Sequence, residues 1–286
     1  MIITADQAPT LSPVFQGRKG RLLFNLALRV TGIDNINYTH QRLEDAGVTP
    51  GPDFAKGILD DIEVDFLVGN PERLSALPEG PFIVIANHIY GHIDGICLVD
   101  LFGHQRPGCK VMVNEFLLWI KGLAPSFISV NPTLTEKKGA TATSINGVKN
   151  ALLQLRSGEP LCLFPSGAVA DVKPREKWTL SERDWQDAAI KLIRKAHVPV
   201  VPVRFFDHNS AFYYGLGLID YRVRFARLFH EMYNKRGTHP RVGIGQVISV
   251  EEQDAVADDQ FKQFLRQSVY QMPLPDHFTK RSELWK

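Results

Sequence analysis

Short apolar runs rich in β-branched and aromatic residues recur along most of this chain, and stretches with apolar positions at helical spacing lie between them. The runs are Phe82 to Ala86, Cys109 to Val113, Phe127 to Val130, Leu161 to Phe164, Val198 to Phe206 and Val242 to Ile248. Each has the length and composition of a buried strand. Ile145, Val148, Leu152 and Leu155 share one helical face, Trp185, Ala188, Ala189, Leu192 and Ile193 share another, and the Gln260 to Met272 region reads as a closing helix. Strand and helix in alternation predict an α/β fold with a mixed, largely parallel sheet flanked by helices, and function at the strand ends. Pro199 and Pro202 interrupt the long run and predict an edge strand or a bulge. Ahead of this pattern, Arg18 to Pro78 reads mainly as helices broken at glycine and proline, as in Thr49-Pro50-Gly51-Pro52. The expected organisation is a helical N-terminal segment over 1–78 and an α/β domain over 79–286. No internal repeat or low-complexity tract interrupts it.

Composition narrows the class. With 286 residues, 44% hydrophobic and 22% charged, the chain can bury a substantial core, and disorder is excluded as its general state. A formal charge of +2 gives no case for nucleic acid. Charge is uneven, however: Arg222, Arg224, Arg227, Lys235, Arg236 and Arg241 gather against Glu231 alone, a patch suited to phosphates or anionic head groups. Cys97, Cys109 and Cys162 sit in apolar surroundings with no metal-type spacing, as reduced core residues of a cytoplasmic protein would. Met1 to Asp6 shows no signal-peptide pattern, and no apolar stretch approaches the roughly 20 residues of a membrane span. Leu22, Leu23, Leu26, Leu28 and Val30 follow Arg18, Lys19 and Arg21, a pattern that fits either a helix lying in a membrane interface or one packed on the core.

Candidate chemistry concentrates at three strand ends. Asn87 and His88 end the Phe82 run, and Asp94 follows where the chain turns into a helix. An imidazole with a nearby carboxylate is the minimal equipment of a general base: the nitrogen takes a proton while the carboxylate fixes the tautomer and stabilises the imidazolium. Phe164-Pro165-Ser166-Gly167 ends a second strand in a tight turn whose N–H groups suit an oxyanion or phosphate. The third strand runs into Asp207-His208-Asn209-Ser210 and the aromatic residues Phe212, Tyr213 and Tyr214, which either line a tunnel or pack in the core.

In this order the segments resemble the glycerolipid acyltransferase family: Asn87-His88 with a following Asp, then Phe-Pro-x-Gly, then a Val-Pro-Val strand. Its members transfer a fatty acyl chain from an acyl thioester to a hydroxyl of a lysolipid. The spacing Asn-His-x-x-Gly-x-x-Asp-Gly, Asn87 to Gly95, resembles in particular the hemolysin-like branch, which includes acyltransferases of amino-acid lipids such as ornithine lipids. Asn209-Ser210, Phe212-Tyr213 and Asn234-Lys235-Arg236-Gly237 occur there in similar order, so the resemblance covers about Phe82 to Ile248. Three departures stand out. Five residues separate His88 from Asp94 where the commonest pattern has four. The Phe-Pro motif, which usually continues Glu-Gly-Thr-Arg, here reads Ser166-Gly167-Ala168-Val169. A second family arginine is missing from Ser129-Val130-Asn131-Pro132. Those arginines are associated with a glycerol-phosphate acceptor. Their loss points to a different acceptor, or to phosphate contacts from Lys173, Arg175, Lys235 or Arg236.

The resemblance implies a glycerol-3-phosphate acyltransferase-like fold and a direct transfer. His88 would deprotonate the acceptor, Asp94 would hold its Nδ1, and Ser166-Gly167 or Asn87 would supply oxyanion donors. Asn87, Phe164, Pro165, Ser166, Gly167 and Asn209 would join the basic residues in binding substrate, and Phe116 to Trp119 with Phe212 to Tyr214 would take the acyl chain or rest on the bilayer. No cofactor is implied. The expected partners are acyl carrier protein or acyl-CoA, a lysolipid and an anionic membrane surface, with peripheral attachment to the inner face of the membrane. Two rival readings of the same residues are a metal-dependent hydrolase using His88, His92, Asp94, Asp207 and His208, and a non-catalytic, membrane-active lipid-binding protein.

Overall fold

The structure, a computed structural model, describes residues 17–130, 142–173 and 178–284. Helices α1 (Gly17–Thr31), α2 (Ile33–Asp45) and α3 (Pro52–Asp61) come first, followed by the short strand β1 (Leu67–Gly69) and helix α4 (Glu72–Ser75). Then come β2 (Ile83–Ala86), α5 (Ile93–Gln105), β3 (Lys110–Asn114), two 3₁₀ turns (Glu115–Trp119 and Ala124–Ser126) and β4 (Phe127–Val130). Helix α6 (Ala142–Arg156) leads to β5 (Leu161–Leu163), the hairpin β6 (Asp171–Lys173) and β7 (Thr179–Ser181), α7 (Asp187–Ala196) and β8 (Val200–Phe205). The chain closes through α8 (Ala211–Ile219), α9 (Tyr221–Tyr233), β9 (Arg241–Ile244), α10 (Val250–Asp254), α11 (Asp258–Tyr270) and β10 (Phe278–Lys280).

Eight strands form one mixed sheet in the order β10-β1-β9-β8-β2-β5-β3-β4. The segment from β8 to β4 across β2 is parallel throughout; β8 with β9, and β1 with β10, pair antiparallel. The predicted α/β class and helical lead-in are therefore present. All of β2 is fully buried, because helices cover both faces and no position in it can alternate with solvent. Ala86, Val84 and Phe82 point into one core with α3 and α5, whereas Ile83 and Ile85 point into the other with α6, α7 and α11. Each buried Ile or Val contributes about 1.5–3 kcal/mol.

Three local expectations change. Residues 67–69 lie within the helical lead-in yet form β1, inserted between β9 and β10. Strand β8 is not an edge; it lies between β2 and β9. Of the two readings for its prolines, the bulge is the one the ladder contains. Val203 faces Ile244, but Val200 faces Ile248, so the partner strand holds one extra residue opposite Pro202. Pro202 has no N–H to give there, and its carbonyl accepts from Gly245. Trp185, expected on the face of α7, precedes that helix and is buried beside Tyr270.

Candidate active site

Strand β2 delivers His88 to its C-terminal end, and Asp94 enters the first turn of α5 directly below it. His88 Nδ1 lies 2.8 Å from Asp94 Oδ2, and Asp94 is fully buried. The five intervening residues fold back through Gly91, at φ 81, where a side chain would also run into Val169 Cγ2 at 2.5 Å. The main-chain N–H groups of Tyr90 (3.0 Å) and Gly91 (3.1 Å) donate to the same Oδ2, and Gly95 N–H donates to Oδ1 (2.9 Å). These donors hold Asp94 ionised: burial works against the charge, but His88 and the loop outweigh it, so its pKa lies below the usual carboxylate value. Burial likewise pushes the His88 imidazole down, yet the Asp94 ion pair and hydrogen bond, with Glu182 behind, leave it above the ordinary histidine value.

The turn after β5 meets this pair. Phe164 stacks on the His88 ring with centroids 4.1 Å apart. Gly167 adopts φ 61 and its N–H closes the turn onto Phe164 O at 3.0 Å, so that amide is committed within the turn. Ser166 is buried, its one O–H within hydrogen-bond reach of both Ala168 O (3.0 Å) and Glu182 Oε1 (3.1 Å).

A cavity of about 830 Å³ opens at this point, large for a small-molecule site. His88, Gly91, His92, Asp94, Phe164, Pro165, Gly167 and Lys173 line it. Its apolar walls come from both faces of the sheet. Ile36, Ile58, Leu117 and Leu123 belong with the core that holds Val84, and Met112, Val148, Leu163 and Leu192 belong with the core that holds Ile85.

Over residues 65–205 the chain matches a family described as Acyltransferase. It is 26% identical over 230 residues to the lyso-glycine lipid O-acyltransferase of Bacteroides thetaiotaomicron, across 78% of this chain and 80% of that protein. The lyso-glycine lipid O-acyltransferase of Phocaeicola vulgatus is 26% identical over 237 residues, across 77% of this chain and 81% of its own. Residues 65–205 belong to the acyltransferase family. By homology the chain is an O-acyltransferase.

Other residues singled out from the acyltransferase sequence lie elsewhere. Asn87 is buried, giving Nδ2–H to Phe205 O (2.9 Å) and accepting Phe205 N–H (2.7 Å), so its amide joins β2 to β8. Asn209 donates to Ile89 O and Tyr90 O, bracing the loop between His88 and Asp94. Lys235 binds Glu231 and His208 O, and Arg236 pairs with Glu63. Arg175 lies outside the described residues. The basic run is thus largely neutralised in place, with Arg224 on Asp171 (2.6 Å) and Arg241 on Asp207. Trp119 and Phe212 are exposed, whereas Leu117 and Tyr213 face the cavity.

His92 caps α5: its Nδ1 accepts the Ile93 N–H (2.7 Å), which leaves the proton on Nε2, a buried atom without a hydrogen-bond partner among the described residues. Burial first, against the pull of Asp94 and Glu231, lowers its pKa to about 4. Its Nδ1 is therefore committed to the helix, Asp207 is committed to Arg241, and His208 Nδ1 faces Asn209 O (2.7 Å). Among the described residues no group of three or more His, Cys, Asp or Glu is placed to hold a metal ion. The acyltransferase residue that sequence reasoning missed is Glu182. It follows the hairpin, in a stretch with no strand-end motif, and only the folded chain brings it to His88.

Proposed function

We propose that this O-acyltransferase of lipid synthesis moves a fatty acyl chain from an acyl thioester to the hydroxyl of an amino-acid-containing lysolipid, of the kind named for its relatives. The observation that carries this reading is the His88–Asp94 pair in the wall of a largely apolar cavity. With Nδ1 on Asp94, His88 Nε2 is left to take the acceptor proton. The acceptor oxygen attacks the thioester carbonyl, the new ester C–O bond forms as the C–S bond breaks, and His88 returns the proton to the departing thiolate. The Ala168 N–H, in the cavity wall, is the candidate donor to the developing oxyanion. A raised His88 pKa suits both halves of this cycle, since the group must accept and then release one proton near neutral pH.

The acyl chains occupy the apolar walls, and the helical residues before position 79 supply part of them through Ile36 and Ile58. Helix α1 supports peripheral attachment to an anionic membrane. Leu22 is 71% exposed, and Leu23, Leu26 and Val30 are exposed with it, next to Arg18, Lys19, Arg21 and Arg29. No helix among the described residues is long and apolar enough to cross a membrane. Acyl carrier protein and acyl-CoA are both proposed donors, since each presents the same thioester. The test is mass spectrometry of products from the purified protein with each donor and a panel of hydroxyl-bearing single-chain lipids, including N-acyl amino acids that carry a free hydroxyl. Transfer that disappears in His88→Ala supports the reading; no product with any acceptor, or full activity in His88→Ala, overturns it.

A further inference from the structure

Glu182 is a carboxylate that the reaction above leaves unused, and it is buried directly behind the base. Only 2% of it is exposed. Its Oε1 accepts the His88 main-chain N–H and the Ser166 hydroxyl, and its Oε2 accepts the Tyr270 hydroxyl. One carboxylate thus gathers the end of β2, the turn after β5 and helix α11 onto the residue that follows the β6–β7 hairpin. Taking a carboxylate this far from water is unfavourable unless its oxygens are satisfied, and these donors are what satisfy it.

The turn itself shows why an acid is needed from elsewhere. The pattern that the chain resembles places a glutamate directly after Phe-Pro, and here that position is Ser166. The Ser166 hydroxyl instead reaches Glu182 at 3.1 Å. We infer that Glu182 is a positioning residue for acyl transfer, a carboxylate delivered by the hairpin that locks the His88 main chain to the Ser166 turn in place of the acid missing from the turn. The inference rests on the proposed role of His88 as base. Three restraints then fix that ring: Asp94 on Nδ1, Phe164 on one face and Glu182 on the backbone.

The same group contributes charge. Facing His88 are Asp94 and neutral His92 from α5 and Glu182 from the hairpin; facing Glu182 are His88, Ser166, Trp185 and Tyr270. Negative Glu182 favours the imidazolium that forms as the acceptor loses its proton. Burial raises the Glu182 carboxyl to about 7, although the His88 and Ser166 contacts pull it down, so its charge changes across the working pH range.

The experiment compares wild type with Glu182→Gln in steady-state acyl transfer, and follows His88 titration by NMR in both. Glu182→Gln is expected to lower kcat by about tenfold to a hundredfold with KM within about twofold, the pattern of a misaligned reacting group. The acid limb of kcat/KM and the His88 titration both move to lower pH. Adding Ser166→Glu in the Glu182→Gln background recovers a large part of kcat, which a residue serving only general stability would not allow. An unshifted His88 titration in folded Glu182→Gln, or wild-type kcat, overturns the inference. Should Glu182→Gln not fold, Glu182→Asp keeps the charge but shortens its reach to the His88 N–H, and wild-type kcat there overturns the inference. If wild type transfers nothing, the proposed function fails, while the NMR comparison still decides the link between Glu182 and His88.

Discussion

Asp94 Oδ2 sits 2.8 Å from His88 Nδ1 and accepts two main-chain N–H groups of the loop that joins the two residues. The carboxylate is therefore held from three sides before any ligand arrives. It sets both the tautomer and the charge preference of His88, the proposed base.

A pH profile follows from that relationship. Burial lowers the His88 pKa, the Asp94 pair raises it, and the net direction is upward, so the active neutral form is lost below a midpoint that lies above the ordinary histidine value. Activity should rise with pH through that midpoint. In Asp94→Asn the limb should move to lower pH, and kcat should fall by about 10³–10⁴-fold because the tautomer is no longer enforced. Initial rates across pH 5–9, taken at saturating and limiting acceptor, check both, and an unmoved limb would contradict this account of the pair.

His92 predicts a different acid response, in stability rather than rate. Its folded pKa is depressed to about 4, below the unfolded value near 6.5, so the stability it contributes is present above pH 6.5 or so and is lost as pH falls through 4. Asn can cap a helix without titrating. His92→Asn should leave the melting temperature at pH 7.5 little changed and raise it at pH 4.5, as read by circular dichroism. Equal shifts at both pH values would show that the histidine does not carry this dependence.

How much of this was readable beforehand depends on how far apart the partners lie. The runs that became β2, β5 and β8 were legible because two-sided burial leaves them apolar at consecutive positions, those that became β3 and β4 because they are short runs rich in β-branched and other apolar residues, and His88 and Asp94 stand close enough in sequence for their meeting to be anticipated. Strand β1, of three residues, was not legible, since so short a run has no periodicity to separate it from a helix. The basic run read as a free patch because its counter-charges are remote: Glu63 for Arg236, Asp171 for Arg224. Glu182 was hidden for the same reason, as 94 positions separate it from His88.

The C-terminal end of the described chain carries a stability prediction. Arg281 is buried, pairing with the fully buried Asp100 at 3.2 Å and with Asp60, next to strand β10. Arg281→Met leaves Asp100 with only His104 nearby, and should destabilise the protein by about 3 kcal/mol. Urea unfolding at pH 7 measures it. A loss below about 1 kcal/mol, the value of an exposed pair, would mean that Asp100 finds another partner.

Helix α1 offers the test of membrane attachment. Leu22→Asp with Leu26→Asp removes apolar surface that no other part of the described chain covers, so folding should survive while binding to vesicles of anionic phospholipid is lost. Binding by wild type should also weaken as salt is raised, because the charges beside those leucines are screened. Sedimentation with vesicles at low and high salt separates the two contributions; unchanged binding by the double variant would remove α1 from the attachment surface.

The phenyl ring of Phe164, 4.1 Å above the imidazole, has a consequence for handedness. With one face covered and Nδ1 occupied, a ligand meets His88 from the remaining side only. Two mirror-image secondary alcohols presenting their oxygen to Nε2 must then send their substituents toward different walls of the cavity. With His88 as the proposed base, choice between enantiomers would follow from the placement of a single aromatic side chain that takes no part in moving the proton.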